Sequence, residues 1–327
     1  MLAAICKTYG GPDVVHLREV ETPIPTDREV LIRIHATTVS SGDCRIRGAN
    51  FPTGFGFLAR LIFGLTRPRQ PILGTECAGV IEAIGAGVTR FRPGDAVIAF
   101  SGGKLGCHAE YRTMREDGAL IAKPAGLGFE EAAAIAFGGT TALHFLRGPG
   151  KLRRGERVLV NGASGCVGAA AVQLAKHLGA HVTGVCSGAK SELVRSLGAN
   201  AVIDYGSADF AKSGERWNVI IDTVGNAPFA RTRDALTENG RLLLVASGLP
   251  DLLKAPFQSM TSGRTVAGGP APERVEDLAL LATLCEAGTV RPVIDSSYPF
   301  DLIVDAHARA DTNRKNGSVV VTLDARV

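Results

Sequence analysis

The chain has no long apolar run, no pair of cysteines separated by two residues, and no internal repeat or low-complexity linker. Its seven cysteines stand at 6, 44, 77, 107, 166, 186 and 285 in 327 residues. An odd count at scattered spacings excludes a disulfide framework and a zinc knuckle, and points to a reducing, cytoplasmic setting. With no apolar stretch long enough to span a bilayer, no membrane insertion is expected. The opening MLAAICKTYGG lacks the charged start and long apolar core of a signal peptide. Charge is sparse, at 21% of residues and a net +4. The Arg60, Arg67 and Arg69 patch comes with no recognition motif and no aromatic-basic stacking platform, so it reads as a solvated edge and no nucleic-acid partner is expected.

What is present is 45% hydrophobic residues with 40 glycines, in a chain long enough for two domains with sizeable cores. That composition suits a compact α/β enzyme. The organising stretch is Glu156 to Tyr205. Arg157 to Asn161 is a short apolar run, and Gly162, Gly165 and Gly168 follow at three-residue spacing before an apolar-periodic stretch from Ala169 to Leu178. A strand feeding a helix through glycines makes a tight turn, lets the backbone approach a pyrophosphate and lets the helix pack closely on its strand. The anion then sits on the N–H groups of the helix N-terminus. Ala163 occupies the first glycine position of a strict G-x-G-x-x-G.

The next strand, His181 to Val185, ends in Cys186, Ser187, Gly188, Ala189 and Lys190, without the acid that binds the ribose 2′-hydroxyl of NAD. A carboxylate 4 Å from a phosphate charge costs about 4 kcal/mol at an effective dielectric near 20. A lysine in place of an acid therefore favours the 2′-phosphate of NADPH. Further strands are expected at Ala201–Asp204, Val219–Thr223, Arg241–Val245 and Arg264–Ala267, with helical segments between, which gives a parallel, doubly wound sheet. Residues 1–126 alternate in short apolar strands separated by Gly and Pro turns and read as a β-rich domain of barrel type. Glu273 to Ala287 reads as an amphipathic helix, and the tail ending in Ser318–Leu323 as a return to the first domain. His177 and His181 have metal-like spacing, but Gly179 ends the helix between them.

Four segments carry a wider likeness: Leu73-Gly-Thr-Glu-Cys-Ala-Gly-Val80, Phe91-Arg-Pro-Gly-Asp-Ala-Val97, Gly138-Gly-Thr-Thr-Ala142 and Ala163-Ser-Gly-Cys-Val-Gly168. With them the whole chain resembles the medium-chain dehydrogenase/reductase superfamily, and within it the zinc-free, zeta-crystallin-like quinone oxidoreductase branch. The resemblance implies a Rossmann-type sheet over 127–269 and a GroES-like partial barrel over 1–126 and 270–327. The superfamily's alcohol dehydrogenases hold zinc with Cys, His and Cys; the matching positions here are Ser40, Thr75 and Phe137, and the four-cysteine structural loop retains only Cys107. Phenylalanine cannot ligate and neutral hydroxyls are poor zinc ligands, so no metal is expected.

The resemblance also implies an NADPH-dependent, zinc-independent oxidoreductase, an enzyme that passes hydride to a small hydrophobic acceptor, a quinone or a conjugated alkene. A non-catalytic NADPH-binding protein, crystallin-like or a sensor, is the alternative. In the family's active-site segment an Asn, an Asp and a Tyr face nicotinamide and substrate; here those positions are Ser40, Asp43 and Arg45. Arg45 offers either a donor to the acceptor oxygen or a salt bridge to Asp43. For the cofactor the resemblance implies Thr140 at the nicotinamide end, Ser164, Gly165, Cys166 and Val167 at the pyrophosphate, and Ser187, Lys190 and Tyr205 at the 2′-phosphate ribose. Val224 and the Ala246-Ser247-Gly248 turn then flank the nicotinamide ribose, with Asn316 as a further contact. A homodimer paired through the edge strand Arg264–Ala267 is expected. The segment Phe51–Leu65 reads as a helix packed on the barrel, with part of it lining an apolar mouth, and is too short for a membrane anchor.

Overall fold

The computed structural model describes residues 1–323, so the last four residues of the expected 270–327 segment lie outside the described residues. The chain divides into two compact units. The first comprises Met1–Phe51, Gly56–Phe137 and the chain from Glu273 onward; the second comprises Pro52–Phe55 and Gly138–Pro272. In chain order the first unit holds β1 (Leu2–Cys6), β2 (Val15–Glu19), β3 (Glu29–Val39), α1 (Ser41–Gly48), α2 (Gly56–Phe63), β4 (Glu76–Ile84), β5 (Ala96–Phe100), β6 (Tyr111–Arg115), β7 (Leu120–Ala122) and α3 (Phe129–Ala134). Helix α4 (Ala136–Arg147) leads into the second unit, with β8 (Arg157–Asn161), α5 (Cys166–His177), β9 (His181–Cys186), α6 (Ser191–Ser196), β10 (Ala201–Asp204), β11 (Trp217–Asp222), α7 (Phe229–Thr232), β12 (Leu236–Leu244), α8 (Leu249–Ser262) and β13 (Thr265–Gly268). The first unit is completed by α9 (Val275–Glu286), β14 (Ile294–Pro299), α10 (Ile303–Asp311) and β15 (Ser318–Thr322). Helix α3, expected at the start of the nucleotide unit, groups with the first.

In the first unit β3 is the spine. Its Val30, Ile32 and Ile34 lie on the buried face that their alternation predicts, because successive strand residues point to opposite sides. The sheet runs β14-β15-β3-β4-β5-β7, with β6 also on β3. Strand β15 lies antiparallel to β3, from Val319 opposite Val39 to Thr322 opposite Ala36, so the tail returns to this unit.

In the second unit six parallel strands run β10-β9-β8-β11-β12-β13. This is the doubly wound order in which the strand sequence reverses between β8 and β11, the place where such sheets bind ligands at their carboxyl ends. The expectation of a helical segment between every pair of strands is corrected at two places. Between β10 and β11 there is one 3-10 turn, Phe210–Lys212, started by the Asp209 side chain on Ala211 N and followed by Gly214 at φ +77. Between β11 and β12 helix α7 has four residues. The spacing of Asp, Ser and Gly in these segments favours turns over a continued helix. The expected strand Arg241–Val245 begins five positions earlier, at Leu236. Helix α5 ends at His177 and Gly179 takes φ +82, so the two histidines do share no helix turn: His181 opens β9 and is exposed.

Candidate functional site

In the second unit the turn from β8 into α5 is built from its glycines. A Cβ on Gly168 would come within 2.0 Å of the Gly162 carbonyl oxygen, so the first turn of the helix approaches the loop at a distance only glycine permits. Gly162 has φ +82, and a Cβ there would meet Thr223 Oγ1 at 2.5 Å. Gly165 differs: its φ is −77, and the nearest atom to an added Cβ is 3.5 Å away. A methyl group there would make only ordinary contact with the loop, so the missing side chain leaves its volume as a shallow cradle beside the helix end. Gly165 is the N-cap and gives α5 no side-chain cap. The first bond into the helix runs from Ala169 N to Gly165 O, and the N–H groups of Val167 and Gly168 have no partner among the described residues. A glycine-lined helix N-terminus without a side-chain cap can take an anion, and its donors and dipole fit a pyrophosphate. Ser164 is buried in the same loop.

Across the strand-order reversal, Asp222 at the end of β11 organises the facing loop. Its carboxylate accepts from Val224 N at 3.0 Å, Gly225 N at 3.1 Å, Ala227 N at 2.9 Å and Asn161 Nδ2 at 2.8 Å. Asn161 also donates to Asn226 Oδ1 at 2.7 Å, and Thr223 Oγ1 donates to the Asn161 carbonyl at 2.7 Å. Asp222 is buried, and four donors stand in for the water it has lost. The loop is thereby held so that Val224 projects outward, half exposed. Neither Asn161 nor Asp222 was singled out from the sequence. The signal for Asp222 was available: an acid closing an apolar strand ahead of Thr-Val-Gly-Asn is an Asx turn in waiting.

At the end of β9, Ser187 and Lys190 flank the exposed Gly188 and Ala189, and the exposed Tyr205 follows β10. The absence of an acid from the end of β9 is offset by one next door. Asp204 of β10 stands opposite Cys186, and a Cβ on Gly188 would lie 2.7 Å from Asp204 Oδ2. Asp204 Oδ1 accepts from Gly206 N at 2.9 Å. Ala246, Ser247 and Gly248 form the turn from β12 to α8; Ala246 N donates to the Asp222 carbonyl, which ties this turn to the end of β11. Gly248 caps α8, and Leu249 N donates to the Thr53 carbonyl at 2.8 Å, which fastens residues 52–55 to this unit. Thr140 is buried within α4; its neighbour Gly138 packs so closely that a Cβ would meet Cys166 Sγ at 2.4 Å.

In the first unit Ser40 and Asp43 form the capping box of α1. Asp43 Oδ2 accepts from Ser40 N at 2.8 Å and Ser40 Oγ at 2.6 Å, Ser40 Oγ accepts from Asp43 N at 3.2 Å, and Asp43 Oδ1 accepts from Gly74 N at 2.9 Å. Both side chains are buried, so what they visibly do is anchor α1 to the loop before β4. The salt bridge from Arg45 to Asp43 is not formed among the described residues; Arg45 is half-buried, and burial pulls its guanidinium below its ordinary pKa. Sequence reasoning passed over Arg47. It donates to Gly10 O at 3.3 Å and bonds His307 Nδ1 at 3.0 Å, and it pairs with Asp311, which fixes α1 to α10. Burial first, then His108 and Arg47, hold the His307 pKa well below the usual histidine value.

Thr75 is buried, with its hydroxyl lacking a partner among the described residues, and Phe137 packs its ring 6.5 Å from that of Phe100. Beside them Glu76 accepts from Thr38 Oγ1 and Phe137 N, and burial pushes its carboxyl up to about 8. Among the described residues no three His, Cys, Asp or Glu side chains stand together as a metal site. Asn316 donates its N–H to Asp295 Oδ1 at 2.7 Å, while its side-chain Oδ1 is buried without a partner among the described residues. The structure thus gathers 162–168, 187–190, Tyr205, Val224 and 246–248 at the carboxyl ends of the parallel strands, keeps Thr140 within α4, and sets Ser40, Asp43, Arg45 and Asn316 in the other unit.

Two families match the chain: the alcohol dehydrogenase GroES-like domain over residues 26–125 and the zinc-binding dehydrogenase domain over 197–321. A chloroplast envelope quinone oxidoreductase homolog of Arabidopsis thaliana is 31% identical, with 96% of each chain covered. A quinone oxidoreductase of Pseudomonas aeruginosa is 32% identical over 96% of this chain and 97% of its own. Among solved structures, the quinone oxidoreductase of Coxiella burnetii superposes with a TM-score of 0.88 at 26% identity, with 99% of each chain covered.

Proposed function

Since the chain belongs to the zinc-free quinone oxidoreductase branch of the medium-chain dehydrogenase/reductase superfamily, we propose that it is an NADPH-dependent oxidoreductase acting on a quinone or an alkene conjugated to a carbonyl. The observation that carries this reading is the glycine-built turn into α5, with Gly165 as an N-cap that offers no side-chain cap, at the strand-order reversal of the sheet. The residues present fit a dinucleotide: small where the backbone must approach, with N–H donors for a pyrophosphate and a lysine beyond the next strand for a 2′-phosphate.

NADPH would supply the hydride. The chain's own part is binding and orientation. Gly165, Val167 and Gly168 present space and donors, Lys190 offers the positive charge, and Asp222 holds the loop bearing Val224 through its four hydrogen bonds. The capping box of Ser40 and Asp43 fixes the helix on which Arg45 stands. Arg45, half-buried and without a carboxylate partner among the described residues, is the cation of that segment suited to stabilise charge developing on an acceptor oxygen. Ser40, Thr75 and Phe137 offer no thiolate or imidazole, so we assign the reaction to acceptors already activated for hydride addition.

We place the protein in a reducing compartment such as the cytoplasm, in keeping with its free, mostly buried cysteines, and no helix among the described residues is long and apolar enough to cross a membrane. A homodimer formed through β13, which among the described residues has a strand neighbour on one side only, completes the reading. Calorimetric titration with NADPH and NADH tests the cofactor assignment. NADPH is expected to bind at least tenfold more tightly, and equal affinities would remove the 2′-phosphate from the account.

A further inference from the structure

Helix α2 is apolar on both sides, and the fold covers one. On the inner side Ala59 is buried, and Phe63 stacks on Phe51 with ring centroids 5.8 Å apart, against a cluster that includes Ile46, Leu73 and Leu105. Tyr9 Oη donates to the Gly64 carbonyl at 2.6 Å and fastens the helix end. On the outer side Leu58, Leu61 and Ile62 recur at the i, i+3, i+4 spacing of one helical face and Leu65 follows in the turn after the helix; they are 49%, 43%, 56% and 57% exposed. Phe57 beside them is 75% exposed. A helix apolar all round belongs in an apolar surrounding, and a contiguous exposed patch of this kind marks an interaction site.

The charge around the patch identifies its occupant. From Cys44 to Thr75 the sequence holds no Asp or Glu, while Arg60, Arg67 and Arg69 are all exposed. Arg60 and Arg69 lay their guanidinium groups on the Leu65 and Leu61 carbonyls at 3.4 and 3.2 Å, along the same surface, and none of the three is in an ion pair among the described residues. A second copy docking its own patch here in a two-fold contact would set these arginines against their equivalents, with no acid in the segment to pair them. A surface that is apolar within and anionic at its rim satisfies both features at once.

We propose that α2 and the turn after it dock the protein on an anionic lipid surface. The helix lies in the plane of the interface, its outer apolar side chains in the acyl boundary and its arginines among the headgroup phosphates. Eight residues are too few to cross a bilayer, but lying in its surface needs a face, not a length. This extends the expectation for Phe51–Leu65 beyond packing on the barrel. It is independent of the enzymatic reading, because binding to lipid is measured without cofactor or acceptor.

The test is flotation of the full chain with vesicles of phosphatidylcholine alone or mixed with phosphatidylglycerol, at low and at molar salt. Binding is expected with the mixed vesicles and is expected to weaken with salt. Leu61→Ser with Ile62→Ser, and separately Arg67→Gln with Arg69→Gln, should each lower the bound-to-free ratio about tenfold or more, with unchanged melting temperatures. No binding by the unaltered chain, or binding that ignores both anionic lipid and the arginines, overturns the proposal. So does an oligomer, seen by sizing without lipid, that the Leu61 and Ile62 substitutions dissolve, since that result makes the patch a self-association surface. The comparison of vesicle types on the unaltered chain stands even if a variant fails to fold.

Discussion

Lys190 and Asp204 bring opposite charges to the ends of neighbouring strands, and cofactor choice turns on their balance. Lys190→Glu should weaken NADPH binding by tenfold or more while leaving NADH nearly unchanged; equal losses in a titration with both would take Lys190 out of the site. Asp204→Asn should strengthen NADPH binding severalfold, because it removes a negative charge beside Gly188. The sequence shows Lys190 but hides Asp204, since only strand pairing brings residue 204 beside the turn at 188. Asp43 teaches the converse. Its spacing from Ser40 is that of a capping box, legible as such, yet read for its chemistry it looks catalytic. Asp43→Asn turns one acceptor oxygen into a donor facing N–H or O–H groups, so it should cost about 1–3 kcal/mol of stability. A thermal melt unchanged by the substitution would show that the cap contributes nothing.

At the scale of the element, the loop between β8 and α5 was fully legible, because glycine spacing encodes local backbone demands. Its glycines are not equivalent. Gly168→Ala should destabilise the protein, since its Cβ would overlap the Gly162 carbonyl oxygen. Gly165→Ala fits the folded chain but fills the cradle, so it should leave the melting temperature within a few degrees and weaken NADPH binding about tenfold or more. Loss of stability in both, or of binding in neither, would contradict the anion site. The facing loop was not legible, because Asp222 gains its meaning from four donors that only the folded turn assembles. Helix α1 is similar. Arg47 meets His307 and Asp311 across some 260 residues of chain, a distance no periodicity reports.

For the whole molecule, two buried groups set the pH dependence of stability. His307 stays neutral in the fold while its unfolded counterpart takes a proton near 6.5, so its contribution is present above that pH and is lost as pH falls through and below it. Glu76 acts oppositely: held protonated up to about 8 against 4.5 unfolded, it contributes stability below 4.5 that is lost as pH rises toward 8. Glu76→Gln keeps an oxygen to accept from Phe137 N–H, sets an amide NH2 against the Thr38 hydroxyl, which can rotate to accept it, and cannot ionise, so it should flatten the fall in stability between about pH 5 and 8. Denaturant midpoints across that range that match the unaltered chain would show Glu76 ionised. The two-unit architecture was readable from strand alternation and from strand-helix spacing; the joints were not, since residues 52–55 group with the second unit by bonding to the start of α8. The central claim is hydride transfer from NADPH to an activated acceptor by a site without zinc ligands. Its most direct test is NADPH oxidation, followed by absorbance in the presence of a chelator, against a quinone, an enone, an enal and a simple ketone. The account predicts turnover of the quinone or the conjugated compounds and none of the ketone. Tight NADPH binding with no turnover of any acceptor would contradict it and leave a cofactor-binding protein without catalysis.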